Sequence, residues 1–200
     1  MPKRVNHAER RAMIASAAAS CIAEVGLDGA SLRVIAQRCG VSKGIVEHYF
    51  KSREAVIAAA LEQMNARYLA REEQLTAGLR GLDALRARLR CILPLDDESR
   101  QEWKIRLCFW SLAAIDPAAR EAQQTRLALT RERYRQDLAQ ACEDGSIAPP
   151  VSLVSAAMDL SLFMAGASCG ALLDPDAYTQ TYLQQLINRT LAQLEEEICA

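Results

Sequence analysis

The sequence predicts an all-α protein of nine helices, three short ones making a head and six making a longer body. Three observations carry this. Apolar residues recur at helical spacing along most of the chain, and no stretch shows the apolar–polar alternation of a half-buried strand. Alanine, leucine and arginine, all good helix formers, are abundant, while aromatics make up only 5% of residues. Each periodic segment is bounded by Gly, Pro, Asp or Ser at the positions where helices start and stop. With 200 residues, half of them hydrophobic, the chain can bury a substantial core and is not disordered.

The elements follow in order. The first helix runs from about His7 to Val25, with Ile14, Ala17, Ala18, Cys21, Ile22 and Val25 on one face, and Gly26 stops it. Ser31 caps the second, whose apolar side is Leu32, Ile35 and Ala36. Gly40 makes a turn, and Ser42 caps the third. Ser52 caps a long fourth helix, with Glu54 in its first turn, continuing through Ile57, Leu61, Met64 and Tyr68 to about Gly78. The fifth begins near Asp83 and ends before Pro94; the sixth spans about Ser99 to Ile115. Asp116-Pro117 is an N-cap followed by proline at the first helical position, opening a seventh helix that Gly145 closes. Pro149-Pro150 precedes the eighth, about Val151 to Leu173. Asp174-Pro175-Asp176 separates it from the ninth, about Ala177 to Ile198.

Composition excludes several classes. The two histidines, His7 and His48, do not neighbour a cysteine at metal-ligand spacing, so no metal is expected. The seven cysteines form no CxxC pair, are odd in number and read as buried reduced thiols. There is no phosphate-cradling glycine loop and no nucleophile elbow, so neither catalysis nor a cofactor is expected. No apolar run reaches the ~18–20 residues of a membrane span. The polar start MPKRVNHAERR lacks a signal-peptide layout, and the expectation is a cytoplasmic protein with no membrane partner.

Net charge is only −1, but it is unevenly placed. Residues 1–55 hold nine bases and five acids; the remaining residues hold 15 bases and 20 acids. A basic head on an acidic body is the footprint of a surface that faces phosphates.

The segment from Ser31 to Val56 shows what that head does. A helix-turn-helix needs a small residue at the turn, apolar residues facing inward and polar ones at the start of the second helix, where base edges are reached. Gly40 and Ala36 meet the first need, Val41, Val46 and Phe50 the second, and Ser42, Lys43, Gly44, Glu47 and His48 the third. Arg33, Tyr49, Lys51 and Arg53 suit phosphate oxygens, together with the amides at the Ser42 and Ser52 helix starts. Lys43 suits guanine O6 and N7, Glu47 suits cytosine N4, and Gly44 lets the backbone come close. Lys3, Arg4, Arg10 and Arg11 suit an arm along the backbone or minor groove.

GLDGASLRVIAQRCGVSKGIVEHYFKSREAVIAAAL resembles the N-terminal DNA-binding domain of TetR-family transcriptional regulators. The shared features are the Gly26-x-x-x-Ala30-Ser31 entry, Ile35-Ala36, Gly40-Val41-Ser42, His48-Tyr49-Phe50 and Lys51-Ser52-Arg53-Glu54. GVSKGIVEHYF, and more weakly the Trp103 to Trp110 stretch, resemble the BetI-like branch. The resemblance implies a homodimeric repressor that binds a palindromic double-stranded DNA operator and leaves it when a small-molecule effector binds. Glu47 departs from the pattern, since many relatives carry tyrosine or a small polar residue there. A division follows into a DNA-binding domain over residues 1–55 and a ligand-binding and dimerisation domain over 56–200.

Within the body, the eighth helix is apolar almost all round, and the ninth carries one apolar stripe. Paired between subunits, they are expected to build a four-helix interface using Leu162, Gly166, Gly170, Leu183, Ile187 and Leu191. Trp103, Phe109 and Trp110 are the large aromatics of mid-chain. With Met64, Tyr68, Met158 and Phe163 they are expected to line an effector cavity, and the BetI resemblance implies an aromatic cage for a quaternary ammonium, since BetI-like proteins sense choline. Effector binding is expected to tilt the fourth helix and change the separation of the two heads. The competing reading is a protein of the same fold that organises the nucleoid or binds a partner, with no inducer.

Overall fold

The computed structural model describes residues 7–150 and 152–196. Among these, nine helices and no strand are present. They are α1 (His7–Gly29), α2 (Leu32–Arg38), α3 (Lys43–Tyr49), α4 (Arg53–Thr76), α5 (Gly81–Ile92), α6 (Asp97–Ile115), α7 (Pro117–Glu143), α8 (Leu153–Leu173) and α9 (Gln180–Glu196). The predicted Lys3 and Arg4 of the arm, and Ile198, lie outside the described residues.

The helix boundaries are chemical. Ser31, Ser42 and Ser52 each accept a hydrogen bond from the amide three residues on, at 3.2–3.3 Å, which satisfies an otherwise orphaned donor. Gly26 interrupts α1 with φ 71°, and Gly40 turns the chain between α2 and α3 with φ 66°. Both positions need a backbone conformation that side chains disfavour. Asp116 caps α7 through Ala119 N at 2.7 Å, with Pro117 following as expected. Helix α6 starts two residues earlier than the sequence suggested. Asp96 accepts from Ser99 N at 2.8 Å while Ser99 Oγ accepts from Asp96 N at 3.1 Å, a reciprocal capping box.

The chain divides into two compact units, Met1–Ala70 with Lys104–Cys108, and Arg71–Trp103 with Phe109–Ala200. Residues 56–70 thus cluster with the head rather than the body. The physical reason lies in α4, whose Val56, Ala60, Met64 and Tyr68 form one buried stripe in that unit. In the first unit α2 packs against both α1 and α3, and Ile14, Ala18, Ile22, Ile35, Val46 and Phe50 are buried.

The second unit is built on α7, which packs against α5 and α8, with α9 against α5. Its core joins Leu85, Leu89, Tyr134, Leu138, Leu160, Met164, Leu183 and Ile187. Charge is buried here too. Arg88 donates to Asp137 Oδ2 at 2.6 Å and to Glu72 Oε2 at 3.1 Å. Arg133 Nε lies 2.7 Å from the same Glu72 oxygen, an ion pair without a hydrogen-bond angle. Burial pushes the Asp137 carboxyl up, against the pull of the Arg88 guanidinium. Removing one member of such a buried set costs about 3–5 kcal/mol, because the rest is left uncompensated.

Helices α1 and α8 are long and apolar enough by composition to cross a membrane, although neither is a continuous apolar run. Alanine and cysteine raise their mean hydropathy, while serine and glycine interrupt the apolar run without adding charge. Each buries one side in its own unit: Ile14, Ala18 and Ile22 from α1, and Ala157, Leu160, Met164 and Ala171 from α8.

Candidate nucleic-acid interface

Helix α3 presents its polar side to solvent. Ser42, Lys43, Gly44, Glu47 and His48 are exposed, while Val46 and Phe50 point inward. The split follows from spacing: residues four apart share a face of a helix, so 46 and 50 go to the core while 43 and 47 go to solvent. Lys43 Nζ lies 2.7 Å from Glu47 Oε1. The acid in the reading surface is therefore neutralised by the base one turn before it.

Arg33 and Lys51 are exposed and make no ion pair among the described residues. Tyr49 is half-buried, its ring 4.7 Å from that of His7 and 5.2 Å edge-on to that of His48. These contacts fix the direction of the Tyr49 side chain at the end of α3.

Two predicted phosphate ligands are engaged elsewhere. Arg53 donates through Nε to Ala30 O at 3.1 Å and also to Leu27 O. Its fork thus ties down the α1–α2 loop, meeting the Ala30 carbonyl and adding a second donor to the Leu27 carbonyl, which also accepts from Ala30 N at 3.2 Å. Arg11, assigned to the arm, stacks 4.2 Å over the Phe50 ring and donates to Tyr49 O. Arg38 is held bidentately by Glu24, with one contact of 2.7 Å, and this guanidinium draws the Glu24 carboxyl below its usual range. The sequence counted these arginines as charge without showing their partners.

One residue was missed. Ile45 is 41% exposed on α3, an apolar side chain among the polar groups. It falls off the 46–50 inward spacing, which was the available signal, and its chemistry suits a thymine methyl.

The body residues are placed less as expected. Trp103 and Phe109 are buried in the second unit, the indole of Trp103 donating to Ile92 O and meeting Trp110 edge-on at 5.4 Å. Trp110 and Met158 line an open cavity of about 520 Å³ between α6, α7 and α8, with Ala113, Leu127, Arg131 and Leu162. Phe163 lines a different groove, of about 670 Å³, with Thr190, Gln193 and Leu194 of α9. Five residues along a helix turn the side chain through about 140°, so Met158 and Phe163 cannot share one cage. Met64 and Tyr68 are buried in the first unit, Tyr68 beneath the Arg106 guanidinium at 4.6 Å.

Of the six expected interface residues, Leu162 is 73% exposed and Gly166 is exposed. Leu183, Ile187 and Leu191 are not available: they are 0%, 1% and 0% exposed inside the subunit. The apolar stripe of α9 is filled by α5 and its neighbours, because an amphipathic helix first serves the core of its own chain. Gly170 is likewise engaged within the subunit. A Cβ there would lie 2.9 Å from the Tyr178 ring, so the missing side chain makes room for that tyrosine.

A head with a capped, solvent-facing second helix behind a glycine turn, on an all-helical body without strands among the described residues, defines a helix-turn-helix transcriptional regulator. Residues 14–60 match the family described as bacterial regulatory proteins, tetR family. Residues 81–195 match the BetI-type transcriptional repressor C-terminal domain. The chain is 31% identical to the HTH-type transcriptional regulator BetI of Burkholderia thailandensis, over 88% of this chain and 91% of that one. A transcriptional regulator from Rhodococcus sp. Rha1 superposes with TM-score 0.81 at 28% identity, covering 92% and 95% of the two chains. A regulator from Saccharomonospora viridis, crystallised with choline, shares the fold with TM-score 0.87 at 18% identity, covering 92% and 96%. The chain belongs to the TetR family, with a BetI-type C-terminal domain, and is a DNA-binding transcriptional repressor rather than an enzyme.

Proposed function

We propose that this repressor acts in the cytoplasm as a homodimer on a palindromic operator and is released by a small-molecule effector. The observation that carries the DNA-reading assignment is the exposed face of α3, where Lys43, Gly44, Glu47 and His48 stand clear of the core behind the Ser42 cap. Lys43, Glu47, His48 and Ile45 then read base edges. Arg33, Tyr49, Lys51 and the amides at the start of α3 hold phosphates. Support for dimerisation comes from α8, which exposes Val154, Leu162 and Phe163, the last two lining the α8–α9 groove. An exposed apolar ridge of this kind marks an interaction surface. Two half-sites one helical turn apart also require two recognition helices.

The test is operator binding by Lys43→Ala and Tyr49→Ala variants, with dimerisation monitored by sedimentation. Both should lose binding while remaining dimers; parent-like binding by both overturns the residue assignment. A genome-wide binding map showing a few promoters supports the repressor role, and many dispersed sites support nucleoid organisation instead.

A further inference from the structure

The α6–α7–α8 cavity combines one cation with an otherwise neutral lining. Trp110, Ala113, Ala114, Leu127, Met158, Leu162 and Ala165 supply apolar wall, Gln123 and Ser161 are neutral, and Arg131 is the one charged side chain among these residues. Its volume of about 520 Å³ falls within the range of small-molecule sites, about 300–1,000 Å³.

Arg131 is partly buried, yet the structure records no carboxylate partner for it among the described residues. Its Nε donates to Leu127 O at 3.2 Å, and its Nη1 faces the Met158 thioether at 3.7 Å. Sulfur is a weak acceptor. Neighbouring arginines of the same helix are treated differently: Arg133 meets Glu72 and Arg135 is held by Glu132. A guanidinium drawn into an apolar cavity without an anion costs desolvation that a bound carboxylate would offset.

We propose that the effector entering this cavity is an amphipathic carboxylate, its acid group held by Arg131 and its apolar body lying against Trp110, Leu127 and Met158. This rests on the reading of the chain as an effector-responsive repressor. The same lining disfavours a quaternary ammonium, which needs several aromatic faces or an acid. Here it meets one indole and a repelling guanidinium, in contrast to what the choline complex of the Saccharomonospora viridis regulator suggests.

The experiment titrates the full-length protein with octanoate, its neutral counterpart octanol, and choline. The readouts are calorimetry and Trp110 fluorescence, with Trp110→Phe as the control. Octanoate should bind about tenfold more tightly than octanol. Arg131→Gln should abolish that preference without changing octanol affinity, and Arg131→Lys should restore part of it. Equal affinities in the parent, or binding of choline alone, overturn the assignment. So does an Arg131→Gln variant that binds octanoate normally but dissociates into subunits, since a second copy then covers the cavity. Operator binding is followed in the same samples. A parent that binds operator but is not released from it by octanoate overturns this assignment alone, whereas one that fails to bind operator without any ligand overturns the repressor reading.

Discussion

Lys43 Nζ and Glu47 Oε1 lie 2.7 Å apart, one turn from each other on the exposed face of α3. The lysine best placed to meet guanine is thus held by the one acid in the reading surface. Approaching DNA replaces this internal partner with a base edge or a phosphate. Exposed pairs of this kind contribute only about 0–1 kcal/mol, so exchange is easy and the acid acts as a modest filter.

Replacing that acid tests the filter. Glu47→Gln should strengthen binding to random duplex DNA by roughly three- to tenfold at low salt, since one negative charge facing phosphates is removed and Lys43 is released. Discrimination between operator and random DNA should fall at the same time. Fluorescence anisotropy on both duplexes measures each effect, and an unchanged ratio would show that Glu47 reads no base.

Arg53 and Lys51 should separate cleanly. Lys51→Ala should weaken binding and reduce the slope of log K against log salt by about 0.9, the signature of one lost phosphate contact. Arg53→Ala should leave that slope unchanged and lower the unfolding free energy by about 1–3 kcal/mol, because the Ala30 carbonyl loses its donor and the Leu27 carbonyl keeps only the Ala30 amide. Salt titrations and urea unfolding give the two readouts.

Gly170→Ala should destabilise the body by about 1–3 kcal/mol through overpacking, since the new methyl meets three Tyr178 ring atoms at 2.9–3.1 Å. The double variant Gly170→Ala/Tyr178→Leu should recover part of the loss in thermal unfolding. A subunit interface at Gly170 predicts instead a change in dimerisation with the subunit's own stability kept.

The Asp96 cap gives a pH dependence of known sign. Its carboxyl lies below the ordinary value of 3.8, chiefly because the Ser99 amide donates to it. A lowered folded value means that the stabilisation is fully present above 3.8 and is lost as pH falls through the folded value. Asp96→Ala should therefore cost about 1 kcal/mol at neutral pH, with the gap from the parent closing as the solution is acidified. A gap constant with pH would remove Asp96 from this role.

The helices were legible because their signals are local. Caps at Ser31, Ser42, Ser52 and Asp116, breaks at Gly26 and Gly40, and helical periodicity depend on residues within a few positions of each other. The same locality made the inward and outward sides of α3 readable. The start of α6 was displaced by two residues, since Asp96 and Ser99 cap each other only when both ends of the box are recognised together.

What the sequence determined by itself was the all-helical class, the helix-turn-helix and the polar face of α3, all consequences of short-range spacing. Only the tertiary structure decided which charges remain available and which apolar residues are already covered. Arg53 is held by carbonyls more than twenty residues away, Arg11 by Phe50, and the stripe of Leu183, Ile187 and Leu191 by the core of the same chain. Arg131 and Arg133 look alike in sequence, two positions apart on α7, yet one faces a thioether and the other Glu72. The difference arises because two residues turn a helix by about 200°, and what each side meets is set by packing of distant segments.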